Sequence, residues 1–162
     1  MIKKTCIVLL ILSGCALLSA CQATTFGRPG AQADAQDHIV MLSSLPLAEG
    51  RLNDYYAEIA YRAEQQGAQL ELTGTFDFST NSQVYTRRLH GMTLLLFLLD
   101  EDLRVIASRD LAEAPINGLE DTLKFSREVE LPDGTTAFAL GYRMVTVDDE
   151  GYQQIVEEGP SG

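Results

Sequence analysis

Between Leu70 and Phe78, large apolar residues take every second position (Leu70, Leu72, Phe76, Phe78), with Gly74 in the remaining place. That period predicts a half-buried strand, with a close approach or a bulge at the glycine. Met92 to Leu99 reads MTLLLFLL, an unbroken apolar run suited to a central strand covered on both faces. Asp100-Glu101-Asp102 makes a tight polar connection into Leu103–Leu111, where Val105, Ala107 and Leu111 share one parity. Leu123, Phe125, Val129 and Leu131 then alternate with Lys124, Ser126, Glu128 and Glu130. Pro132-Asp133-Gly134 predicts a hairpin turn, because proline presets the first turn dihedral and glycine accepts a positive one. The returning strand carries Phe138, Leu140, Tyr142 and Met144 on one parity, and Tyr152–Val156 adds a short edge strand.

Upstream the period changes. From Glu49 to Gln66, Leu52, Tyr55, Tyr56, Ile59, Ala60 and Ala63 fall at helix-face spacing, with Asn53, Asp54, Glu58, Arg62 and Glu64 opposite and Gly67 as a stop. This predicts an amphipathic helix within residues 38–67 that packs on the sheet. The expected fold is mainly β: an antiparallel sandwich of five to six strands over residues 68–156, with one N-terminal amphipathic helix. Residues 157–162 read as a disordered tail. Residues 21–37, rich in Gly, Pro, Ala, Gln and Thr, read as a flexible tether.

The first twenty-one residues, MIKKTCIVLLILSGCALLSAC, have a different logic. Lys3 and Lys4 give a positive flank, an apolar core follows from Ile7, and small residues end it, the order of an export signal spanning residues 1–20. The terminal Leu18-Ser19-Ala20-Cys21 resembles the lipobox of bacterial lipoproteins. The resemblance implies cleavage before Cys21, a diacylglycerol thioether on its sulfur and an acylated amino terminus, with palmitate among the chains. Several acyl chains anchor stably where one is marginal, at ~0.8 kcal/mol per buried methylene. In Gram-negative members an Asp after the Cys favours inner-membrane retention. Gln22 stands here, so the resemblance implies the outer membrane.

Processing changes the chemistry available. On that resemblance Cys6 and Cys15 would leave with the signal and Cys21 would be consumed by lipid, so the mature chain would offer no disulfide, Cys-ligated metal or thiolate nucleophile. Loss of Lys3 and Lys4 leaves 10 basic against 23 acidic residues, a formal −13. That balance argues against nucleic acid, whose phosphates need clustered Lys and Arg.

Candidate chemistry is sparse. His38 and His90 are the only histidines, no Gly-x-Ser-x-Gly elbow accompanies them, and no zinc pattern occurs. Carboxylates cluster at Asp100-Glu101-Asp102 and Asp148-Asp149-Glu150, which read as solvated turns without EF-hand spacing. No catalytic residue, metal or cofactor is assigned. Arg87-Arg88, a basic pair in an acidic chain, is a candidate interaction site for an anionic headgroup or an acidic partner. Arg127, on the apolar parity of its strand, calls for an edge position, a bulge or a buried carboxylate.

The segment GMTLLLFLLDEDLRVI resembles the strand–turn–strand core of small immunoglobulin-like domains of exported bacterial proteins, which favours a sandwich. The expected function is a non-enzymatic, lipid-anchored interaction or accessory-assembly domain, bound to the membrane through Cys21 and to an envelope protein partner. Two alternatives stand beside it: a carrier of a hydrophobic ligand, lined by Met92–Leu99, Phe76, Phe78 and Phe138, and an inhibitor of a basic envelope hydrolase.

Overall fold

The computed structural model describes residues 26–34, 38–44, 46–79, 89–114, 122–147 and 150–160. The signal segment, Cys21, Arg87, Arg88, Asp148 and Asp149 lie outside the described residues. Among the described residues nine strands appear in chain order: β1 (Val40–Met41), β2 (Leu47–Asn53), β3 (Ala57–Gln66), β4 (Gln69–Phe78), β5 (Leu89–Leu99), β6 (Val105–Ala114), β7 (Leu123–Glu130), β8 (Ala137–Val147) and β9 (Gln153–Glu158). All pairings are antiparallel. The first sheet has the order β1-β8-β5-β6, with β9 also paired to β8; the second has the order β2-β3-β4-β7.

The two sheets share one core, which makes the arrangement sandwich-like. Leu94, Leu96, Leu98, Leu140 and Tyr142 of the first sheet cluster with Ile59, Leu70, Leu72 and Phe76 of the second. The Met92–Leu99 run is central as expected, lying between β8 and β6. From Leu96 to Leu99 every residue is buried, so both faces of β5 are covered there. Gly74 is a close approach: a Cβ there would strike the Phe125 ring opposite it and the Ala60 carbonyl oxygen.

The helix expected within residues 38–67 is replaced by the β2–β3 hairpin. Apart from a three-residue 3-10 turn at Leu42–Ser44, no helix occurs among the described residues. Ala57, Ile59, Tyr61 and Ala63 of β3 alternate toward the core, while Glu58, Arg62 and Glu64 face out. Asp54 turns the chain: its Oδ1 accepts the backbone N–H groups of Tyr56 at 2.6 Å and Ala57 at 2.7 Å. Gly67, the expected helix stop, instead opens a two-residue turn with φ 63°, between the Gln66↔Gln69 pair. Ala, Glu, Arg and Gln favour helix intrinsically, but burial of one strand face against a second sheet overrides that preference.

Three further expectations are corrected. Pro132-Asp133-Gly134 does turn, with Gly134 at φ 85°, but β7 and β8 belong to different sheets, so no hairpin forms. Leu131 N–H donates to Ala68 in the second sheet and Thr136 N–H to Leu99 in the first, so the chain changes sheets within five residues. The flexible tether expected through residue 37 is displaced over residues 26–34, which pack on the first sheet. Gly30 N–H donates to Val105 at 2.7 Å, Ala33 N–H to Leu103 at 2.9 Å, and Ala31 and Ala33 are buried. The expected disordered tail is likewise structured at its start: Glu157 and Glu158 belong to β9, and the Pro160 carbonyl accepts Gly27 N–H at 3.1 Å.

Candidate functional site

The second sheet ends at β7 and the first at β6, and these edge strands run beside each other along one seam of the sandwich. Arg127 crosses it: its Nε–H donates to the Leu111 carbonyl of β6 at 3.1 Å. The sequence called for an edge, a bulge or a carboxylate partner at this residue. The structure supplies the edge, with a backbone carbonyl as acceptor. Leu111 itself turns inward because the β5–β6 register shifts between Leu94 and Leu95, leaving it unmatched between Asp110 and Ala112.

A groove of about 590 Å3 opens along the seam, lined by Arg109 and Asp110 from β6, Arg127–Glu130 from β7, and the Leu131–Asp133 turn. Arg109, Asp110, Arg127, Glu128 and Glu130 are solvent-exposed, so the groove presents both charge signs on a wet rim. Arginine forks bind carboxylates bidentately, while the neighbouring carboxylates accept from N–H and ammonium groups. That chemistry fits a polar polypeptide segment better than a small anion. Arg127 apart, no sequence signal points to this site, because its lips come from strands joined through residues 115–121 and only the folded chain aligns them.

The singled-out residues are dispersed. His38 precedes β1 and His90 lies in β5, both exposed. Asp100 is committed to its own turn, its Oδ1 accepting Asp102 N–H at 3.0 Å and Arg104 N–H at 2.8 Å. Among the described residues no three His, Cys, Asp or Glu side chains converge as metal ligands. Phe76 and Phe138, offered as lining for a hydrophobic ligand, are fully buried in the intersheet core, and Phe78 packs at its margin.

A second depression, about 290 Å3, lies on the outer face of the first sheet between Phe26, Leu95, Phe97, Asp110 and Arg143. Phe26 meets Phe97 edge-on with ring centroids 5.5 Å apart. Among the described residues no helix is long and apolar enough to cross a membrane. Comparison of the chain with protein families, curated proteins and solved structures returns no match.

Proposed function

We infer that the chain is an envelope lipoprotein, anchored at the outer membrane through Cys21, whose sandwich-like body is a non-enzymatic interaction or accessory-assembly domain. The observation that carries the interaction reading is the β6–β7 seam groove, where both sheets contribute charged side chains to one open channel. Edge strands beside a groove suit recognition of an extended polypeptide, because backbone groups and side-chain charges are presented together. Anchoring would confine the domain to a thin layer and raise its effective concentration for a partner in that layer. The acidic balance of the processed chain would steer basic partners toward it.

Crosslinked affinity capture of the tagged, full-length chain from bacterial envelopes tests this, run beside the Arg109→Glu/Arg127→Glu variant. A stoichiometric protein recovered with the parent and several-fold less with the variant supports the reading. Recovery of the chain alone, or with lipid only, removes it and brings the ligand-carrier alternative forward. Capture of a basic hydrolase whose recovery falls with added salt selects the inhibitor alternative.

A further inference from the structure

We propose that the outer face of the first sheet is a bilayer-apposed surface, so that the anchored domain lies flat on the phospholipid headgroups instead of standing away from them. The inference rests on acylation at Cys21 and adds to it an orientation.

Its first support is where the chain enters the body. Phe26 lies on the outer face of the first sheet, against Phe97 of the central strand β5. Gly27, Gly141 and Gly159 surround that ring so closely that a Cβ on any of them would collide with it. Only residues 22–25 separate Cys21 from Phe26. Even fully extended, five residue steps span at most about 18 Å. The opposite broad face lies roughly 20 Å away through the sandwich, taking ~10 Å between sheets and a side-chain layer on each side, and further by any path around an edge. That face cannot reach the headgroups while Cys21 remains in them.

The second support is surface chemistry. On the apposed face, beyond the cover supplied by residues 26–34, Leu95, Val145 and Val147 are half-exposed and Ile155 is 50% exposed. Arg143 is paired there with Glu157 at 3.4 Å, and Asp110 and Glu113 of β6 are the other charges of the paired strands on this face. On the far face seven carboxylates, Glu58, Glu64, Glu71, Glu128 and Glu130 among them, point outward beside only three basic side chains, Arg51, Arg62 and Lys124. An acidic chain near an anionic membrane is repelled least when its less acidic, partly apolar face is turned inward.

The test uses acylated full-length protein reconstituted into phosphatidylethanolamine–phosphatidylglycerol vesicles containing headgroup-spin-labelled lipid. With Cys21 blocked by its thioether, Ile155→Cys, Gln153→Cys and Ser126→Cys each provide one free thiol for a fluorophore. Ile155 and Gln153 share the apposed face; Ser126 lies on the far one. The expected result is several-fold stronger quenching at 155 and 153 than at 126, with the contrast lost when a long Gly/Ser spacer is inserted after Ala23. Equal quenching at all three positions, or stronger quenching at 126, overturns the orientation while leaving anchoring intact. Mass analysis of the N-terminal peptide is done first. An unacylated Cys21 would overturn the anchor and the orientation together.

Discussion

Tyr142 on β8 donates its hydroxyl to Asp54 Oδ2 at 2.8 Å, tying the centre of the first sheet to the turn between β2 and β3 of the second. The other carboxylate oxygen holds the turn through Tyr56 and Ala57 N–H. The Tyr142 ring is fully buried and meets Phe76 edge-on at 5.7 Å. One aspartate therefore shapes a turn and fixes the relative position of two sheets.

Removing the hydroxyl and removing the carboxylate should have unequal costs. Tyr142→Phe keeps the ring and leaves a half-buried carboxylate with its turn contacts, an expected loss of about 1–2 kcal/mol. Asp54→Ala strands a buried phenol and frees two backbone donors, so about 3 kcal/mol is expected. Urea unfolding of both variants decides the ranking. A larger loss in Tyr142→Phe would contradict the dual role given to Asp54.

The same contact sets an alkaline limit. Burial, then the hydrogen bond to Asp54, pushes the Tyr142 hydroxyl far above its ordinary value of 10.0, and burial also raises Tyr61. The folded state therefore holds protons that the unfolded chain releases. This stabilisation is fully present below pH 10 and is lost progressively above it. For Tyr142 alone the slope above pH 10 approaches about 1.4 kcal/mol per pH unit. Urea midpoints from pH 8 to 11 should fall beyond 10, and less steeply in Tyr142→Phe. Identical slopes would mean that Tyr142 ionises freely in the folded protein.

Strands β4 to β8 were legible because each carries either clean alternation or an apolar run that no helix period explains. The β2–β3 hairpin was hidden by composition. Ala57, Ile59 and Ala63 alternate, but Ala60 and Tyr56 also satisfy a helical stripe, and no Gly or Pro marks the turn that Asp54 makes. The packed segment at 26–34 is hidden for a related reason. Its inward residues are Ala31 and Ala33, too small to raise a hydrophobic signal although both are buried. The turn at 132–134 is legible but its consequence is not, since the same turn chemistry serves a hairpin or a passage between sheets. The seam groove depends on that passage, so the sequence marks Arg127 as unusual but gives no route to the residues it meets.

Gly141 is required by space and not by backbone twist. A Cβ there would run into the Glu158 carbonyl oxygen of the paired strand β9 and stand 2.8 Å from the Phe97 ring. Gly141→Ala should cost about 1–3 kcal/mol through overpacking. Gly134 is the control: a Cβ there meets nothing within 4 Å, but its φ of 85° strains any L side chain. Thermal unfolding should show both losses, with protection of the β8–β9 amide hydrogens reduced only in Gly141→Ala. Unchanged β9 protection in that variant would mean that β9 does not rest on β8 as closely as described.

Thr136 sits where the chain passes between sheets, and among the described residues its buried Oγ1 has no hydrogen-bond partner. Its backbone N–H is already committed to Leu99 at 2.8 Å. Thr136→Val keeps the branched shape and removes a desolvated hydroxyl, so stability should be unchanged or rise by up to about 1 kcal/mol. A loss greater than that in urea titration would indicate that the hydroxyl is satisfied in solution.

The segment at 26–34 supplies the sharpest contrast with its tether-like composition. Phe97, Leu99, Val105, Ala137 and Ala139 form a second apolar cluster on the outer face of the first sheet, and Phe26, Ala31 and Ala33 complete it. Without the segment, those side chains would face water and Val105 N–H would lose its acceptor, Ala31, at 2.8 Å. Uncovering roughly 100–150 Å2 of apolar surface costs about 3 kcal/mol at ~25 cal/mol per Å2, before the lost hydrogen bonds are added. A chain beginning at Phe26 should therefore unfold near the midpoint of the unacylated mature chain, whereas one beginning at residue 35 should be markedly less stable and bind an apolar dye. If the two truncations unfold alike, residues 26–34 are a spacer after all, and the short reach from Cys21 to the body would no longer hold.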